Sequence, residues 1–174
     1  IILKRSRVRT SDFFKSFNTF LQLSKATVDE VYQLIKSCSY PNNKTKSLIA
    51  MAKYIVENHK SKIPKNIALL EKIPGIGRKS ANVLSATLFN TPVIAVDTHV
   101  FRVGARLGFT KTAKNVTETE TILSKLIPKQ YIPKAHHWLV LHGRYICKAR
   151  KPDCKNCGLT SICNYFNNQQ LKTK

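Results

Sequence analysis

The run Ile73-Pro74-Gly75-Ile76-Gly77-Arg78-Lys79 limits the possible folds of this chain more than any other stretch. Pro74 stops a preceding helix, and two glycines flanking Ile76 predict a tight turn with positive φ and no side chain shielding the backbone amides. Arg78 to Phe89 then reads as a new helix. The first N–H groups of a helix lack partners and its dipole is positive at that end, so such a turn can bind a phosphate without side-chain specificity. A bare Pro-Gly-x-Gly also fits an ordinary αα-hairpin with a glycine cap. Lys79 inside the new helix, and Val96-Asp97-Thr98-His99 further on, favour the phosphate-binding helix-hairpin-helix.

Apolar residues recur at helical spacing along most of the chain and strand-like alternation is scarce, so the expected class is all-α. Thr27-Val28-Asp29-Glu30 has the capping-box pattern and opens a helix with Val28, Val31, Leu34 and Ile35 on one side. Tyr40-Pro41-Asn42-Asn43 predicts a turn, and Lys46 to His59 a helix with Leu48, Ile49, Ala52, Ile55 and Val56 as its apolar stripe. A short helix over Asn66 to Lys72 leads into the hairpin. Beyond Asn90-Thr91-Pro92, Val93 to Val96 is a short extended run and Asp97 opens a helix ending near Leu107. Thr117-Glu118-Thr119-Glu120 reads as a second capping box. Pro128 and Pro133 bracket a loop, and Lys134 to Tyr145 is expected to bury Trp138, Leu139 and Leu141.

Charge narrows the partner. The 174 residues carry 30 Lys and Arg against 9 Asp and Glu, a net +21, which fits a polyanion such as nucleic acid. A lysine-rich composition would also raise the charge, so this supports DNA binding without establishing it. A 43% hydrophobic content is enough for one domain or two small lobes. No stretch is long and apolar enough to be a membrane span, and Ile1 to Thr10 does not resemble a signal peptide. The chain opens at Ile1-Ile2-Leu3 and Met51 is its only methionine, which reads as a fragment or an eroded gene product. Five cysteines in such a chain point to a reducing compartment and argue against disulfides.

Cys147, Cys154, Cys157 and Cys163 form a C-x6-C-x2-C-x5-C pattern in a polar segment containing Pro and Gly. Four thiols there are poor core material and good metal ligands. Four thiolates suit tetrahedral zinc or an iron-sulfur cluster. Zinc sites usually pair two C-x-x-C knuckles across a longer spacer, so a single C-x-x-C between two lone cysteines leans toward the cluster and leaves zinc open. Lys148, Arg150, Lys151 and Lys155 would put positive charge on a metal-rigidified loop, well suited to a phosphate backbone. Cys38 stands apart and is read as a buried or idle thiol. His99, His136, His137 and His142 are read as packing or hydrogen-bonding residues.

With these motifs in order, the chain resembles the endonuclease III group of the helix-hairpin-helix family of DNA glycosylases. The likeness is carried by Ile73 to Asn82, Ile94 to Val103, His136 to Cys147 and the cysteine spacing, and it spans nearly all of residues 25–165. It implies a helix-hairpin-helix lobe over 1–91 and a lobe over 92–174 holding a 4Fe-4S cluster in the loop 147–163. Double-stranded DNA with a damaged base or abasic site would bind in the groove between them. The implied enzyme is a monomeric, cytoplasmic, nucleoid-associated base-excision-repair glycosylase with AP-lyase activity on oxidised pyrimidines.

In that family the lysine at the position of Lys79 is the nucleophile. An amine attacking the sugar C1′ displaces the base and leaves a Schiff base, whose iminium acidifies the C2′ proton and permits β-elimination of the 3′ phosphate. Arg78 and the hairpin's helix terminus are expected to help keep that amine neutral. The resemblance assigns Asp97 to stabilising positive charge developing at the sugar, and the alternative reading is the plain N-cap that an aspartate before a helix often is. Gly75, Ile76, Gly77, Arg78, Arg144, Lys148, Arg150 and Lys151 are the expected DNA contacts. Arg9 stands where the family has the Gln that fills the gap left by an extruded base. The family's first helix and most of its second lack counterparts here, which predicts exposed apolar surface in both lobes. Lys79 together with the cysteines separates the chain from adenine and oxoguanine glycosylases. Glycosylases for UV photoproducts or mismatches, and a truncated inactive DNA-binding remnant, are the alternatives.

Overall fold

Helical spacing of apolar residues becomes helical structure throughout. The computed structural model describes residues 10–172, and among them no strand occurs. The chain divides between Gly77 and Arg78 into two compact units. Arg9 lies outside the described residues.

The first unit holds α1 (Thr10–Ser16), α2 (Phe20–Lys25), α3 (Val28–Ile35), α4 (Pro41–His59) and α5 (Ile67–Glu71). The Thr27 hydroxyl accepts from Glu30 N while Glu30 answers to Thr27 N, completing the predicted capping box. Thr27 thereby draws the Glu30 carboxyl below its ordinary range. Helix α4 begins five residues earlier than its stripe suggested, because Pro41 sits in its first turn, where a missing N–H costs nothing. The expected turn has shrunk to Tyr40, which is left-handed at φ 55. Phe13, Leu23, Val31, Ile35, Ile49 and Ala52 form one buried cluster, with Cys38 packed at its margin as an ordinary apolar thiol. Each large member of such a cluster contributes about 1.5–3 kcal/mol. Val28, expected on this side, is exposed. It occupies the first turn of α3, whose buried face is supplied by Val31 and Ile35.

The second unit holds α6 (Arg78–Phe89), α7 (Thr98–Leu107), α8 (Val116–Leu126), α9 (Ile132–Tyr145) and α10 (Asn164–Lys172). Between α6 and α7 the extended run keeps Ile94, Ala95 and Val96 buried. Ile94 and Val96 join Val100, Leu123, Ile132, Ala135 and Val140 in one core. Val103, Leu107 and Cys163 form another, flanked by Cys147, Leu159, Tyr165 and Phe166. Helices α7 and α9 cross closely at Gly143, where an added Cβ would meet His99 Cβ at 2.9 Å and Val103 Cγ2 at 3.0 Å.

Three expectations are corrected here. Helix α8 is capped by Asn115, whose side chain accepts from Glu118 N, so Glu118 answers Asn115 rather than opening a box at Thr117. Helix α9 starts at Ile132, with Pro133 inside its first turn. Trp138 and Leu141 are 55% and 43% exposed, because Ile132, Ala135, Val140 and Gly143 supply the buried face of α9.

Candidate active site

The hairpin turn is exposed at Gly75, Gly77, Arg78 and Lys79, with Ile76 half-buried. Its two glycines do different jobs. Gly75 has φ +80 and an added Cβ there would lie 2.9 Å from Ser47 Cβ, so backbone and packing both require glycine. Gly77 does not adopt positive φ, contrary to the paired-glycine expectation, and a Cβ there would meet nothing within 4 Å. Its bareness leaves the backbone open to an approaching group. Ile76 N donates to Ile73 O at 3.0 Å and closes the turn.

Lys79 is the second residue of α6, and its Nζ lies 3.7 Å from Asp97 Oδ2. The lysine side chain is 54% exposed and the aspartate 15%. Asp97 uses its oxygens separately. Oδ1 accepts from His99 N and Val100 N, each at 2.9 Å, capping α7, while Oδ2 faces the lysine. One oxygen therefore makes the N-cap and the other is left facing the lysine, on a carboxylate whose orientation is fixed by the cap. Arg78 turns toward α8, with Nη2 at 2.8 Å from Glu120 Oε1 and Nε at 3.1 Å from Oε2, a forked pair that anchors the start of α6.

The run entering Asp97 is gripped by two side chains that sequence reasoning gave no specific task. Asn82 of α6, one turn beyond Lys79 and itself buried, donates to Ile94 O at 3.3 Å. His136 of α9 meets Ala95 O at 2.7 Å through Nδ1. A carbonyl only accepts, so Nδ1 carries the hydrogen. Burial pushes the His136 imidazole below its ordinary value, opposed by the Ala95 carbonyl, with smaller influences from His137, Asp97 and Lys79.

At the other end of α7, Cys147, Cys154, Cys157 and Cys163 line one recess with Leu107, His142 and Phe166. None is in a disulfide. Burial pushes the Cys154 thiol up, and Cys147, Cys157 and Cys163 push it the same way. Among the described residues, no three His, Cys, Asp or Glu side chains group tightly enough to hold a single metal ion.

Two arginines of α7 hold this loop, and neither was singled out from sequence. Arg102 Nη2 donates to Gly143 O at 2.8 Å, a carbonyl in the last turn of α9, and to Cys147 O at 3.0 Å just beyond it. Arg106 donates to Lys148 O at 2.7 Å and Ala149 O at 3.1 Å, approaches Cys147 Sγ at 3.4 Å and stacks 4.4 Å over the Tyr165 ring. Their i, i+4 spacing on one helix face was the available signal. Arg144, Lys148, Arg150 and Lys151 are all exposed around this loop. One helix thus carries Asp97 at its N-terminus and the supports of the cysteine loop toward its C-terminus.

Residues 5–129 match the HhH-GPD superfamily base excision DNA repair protein family. The chain is 42% identical over 159 residues to Endonuclease III of Rickettsia felis, covering 91% of this chain and 74% of that one. It is 40% identical over 156 residues to Endonuclease III of Escherichia coli K12, covering 90% and 74%. A solved structure of a trapped Endonuclease III–DNA covalent intermediate, an estranged-adenine complex, superposes with a TM-score of 0.86 at 35% identity, covering 92% of this chain and 76% of that chain.

Proposed function

The chain belongs to the HhH-GPD superfamily of base excision DNA repair proteins and is a DNA glycosylase with AP-lyase activity, and from that premise we propose that Lys79 is its nucleophile and Asp97 the carboxylate that serves it. The observation that carries the assignment is the 3.7 Å approach of Lys79 Nζ to Asp97 Oδ2 at the head of the helix that follows the hairpin.

The chemistry follows from those two groups. Lys79 Nζ attacks C1′ of the damaged nucleotide as the free amine, the C1′–N bond breaks, and the base leaves with its electron pair. Asp97 Oδ2 faces the positive charge that develops on the sugar while Oδ1 stays bound to the cap, so the carboxylate needs no reorientation as charge builds. Loss of the amine's proton and opening of the sugar ring give the Schiff base. Its iminium withdraws electrons from C2′, a C2′ proton is lost, and the C3′–O bond breaks to expel the 3′ phosphate. Water then releases the unsaturated sugar from Lys79.

The hairpin backbone at Gly75, Ile76 and Gly77 would hold a DNA phosphate, supported by the open space at Gly77. Arg144, Lys148, Arg150 and Lys151 would add backbone contacts from the cysteine loop. Cys147, Cys154, Cys157 and Cys163 would hold a 4Fe-4S cluster, a reading supported by an all-thiol donor set around one recess and by the relatives. When bound, the cluster would cross-link the loop and keep its basic residues in register. We assign the substrate as an oxidised pyrimidine or abasic site in duplex DNA, acted on by a monomer in the reducing, DNA-containing compartment.

The test is borohydride trapping on duplexes containing thymine glycol or an abasic site. Wild-type protein should give a covalent adduct on both, and Lys79→Ala should give none. Trapping on the abasic site alone would move the lesion class to another base. No adduct from folded, iron-loaded protein would leave a DNA-binding remnant.

A further inference from the structure

Attack by Lys79 needs Asp97 held at a fixed separation, yet Asp97 follows an extended run that has no strand partner among the described residues. A run without a ladder has backbone groups that something else must satisfy. Here the successive carbonyls of Ile94 and Ala95 are taken by Asn82 of α6 and His136 of α9. Asn82 is 2% exposed and its bond to Ile94 is buried, while the Ala95 carbonyl, on a residue also 2% exposed, meets a half-buried His136. Asn82 lies one turn past Lys79 on the same helix, and Ala95 lies two residues before Asp97.

We infer that Asn82 and His136 form a two-point clamp that sets the distance between Lys79 and Asp97, making both of them positioning residues for the reaction. The inference rests on Lys79 as nucleophile and Asp97 as its carboxylate. Asn82 ties the helix carrying the amine to the run carrying the carboxylate. His136 fixes the run from the opposite helix, and its short 2.7 Å bond is the stiffer of the two. Their hydrogen bonds go to the backbone of the run, to Ile94 O and Ala95 O. Reaction rates respond steeply to such placement, and a displacement near 1 Å can cost about 10²-fold.

Isosteric logic supplies the test. The Asn amide nitrogen can stand where His Nδ1 stands, whereas the Gln amide reaches to the Nε2 position and leaves Ala95 without a donor. Single-turnover borohydride trapping on abasic duplex DNA should therefore proceed near the wild-type rate in His136→Asn. In His136→Gln it should slow by about 10²-fold, with DNA affinity unchanged in both. Asn82→Ala should slow it comparably, and Asn82→Asp, which removes the donor but keeps the shape, should follow Asn82→Ala.

The fraction of competent enzyme is titrated in each variant by the trapping burst, so partial unfolding lowers amplitude and leaves the rate constant alone. Equal rate constants for His136→Asn and His136→Gln would overturn the clamp, as would a loss confined to DNA affinity. Lys79→Ala is run alongside. Trapping that survives in it sinks the nucleophile assignment, whereas its loss there together with equal His136 variants sinks the clamp alone.

Discussion

Asp97 offers Oδ2 to Lys79 at 3.7 Å while Oδ1 is bound by two backbone N–H groups at 2.9 Å, so one side chain both caps α7 and faces the amine. Asp97→Asn keeps an oxygen for the cap and loses the charge. It should retain most of the stability and lose roughly 10²-fold in single-turnover rate, a magnitude typical of removing one group aimed at developing charge. Asp97→Ala should lose the rate and also about 1 kcal/mol from the missing cap. Rate measured beside urea midpoint separates the two roles. An Asp97→Asn enzyme at full speed would leave the carboxylate as a cap and nothing more.

The hairpin glycines should separate in the same way. Gly75→Ala meets a left-handed φ of +80 and Ser47 Cβ at 2.9 Å, and should destabilise the protein by about 1–3 kcal/mol. Gly77→Ala meets no protein atom and should leave the melting temperature nearly unchanged while weakening DNA binding. If Gly77→Ala bound DNA as tightly as wild type, the turn would not be a phosphate seat.

Much of this is legible in the sequence alone. The hairpin, Lys79, Asp97 and the four cysteines are local patterns whose chemistry lies in spacing, and the helix Arg78–Phe89 has its predicted bounds. What escaped depends on partners distant in sequence. Arg102 and Arg106 look like solvent-facing charges until the end of α9 brings carbonyls 41 to 45 residues away to their guanidinium groups. His136 is likewise defined by Ala95, 41 residues earlier. Trp138 and Leu141 failed for the opposite reason: apolar identity marks a residue as suited to a core without saying which face of α9 the core meets.

Arg106 predicts how the cysteine loop behaves. It bonds the carbonyls of Lys148 and Ala149 and stacks on Tyr165, so Arg106→Ala strips the loop of charged donors worth about 1.5–3 kcal/mol each. The purified variant should show a lower iron-to-protein ratio and faster proteolysis within 147–163. Arg106→Lys keeps the charge and lacks the fork, and should fall between the two. Full iron content in Arg106→Ala would show that the cysteines alone organise the loop.

His136 sets a direction for stability against pH. Burial holds its folded value below the unfolded value of about 6.5, so between those two values the unfolded chain binds the extra proton. Stability then falls as pH drops through about 6.5 toward the lower folded value, and above about 7 the group contributes no pH dependence. His136→Asn removes the titration. The wild-type minus variant difference in urea midpoint should shrink as pH is lowered through this window, and a difference that grows would contradict the assignment.

The loop's basic residues make the last prediction, and it is about salt. Lys148, Arg150 and Lys151 are exposed beside the recess, on backbone that Arg102 and Arg106 hold in place, with Lys151 in a left-handed conformation at φ 50. Charges on a fixed backbone meet phosphates without first paying to order the loop. Each residue that neutralises a phosphate releases a counterion, so each single alanine variant should reduce the slope of log affinity against log salt by about 0.9. The weakening should be the same on undamaged and lesion-containing duplexes, because phosphate contacts carry no base information. Arg106→Ala, which touches none of these three side chains, should flatten the slope as well if loop order is what makes the contacts productive. An unchanged slope in all three alanine variants would remove this loop from the DNA interface and leave the hairpin to bind alone.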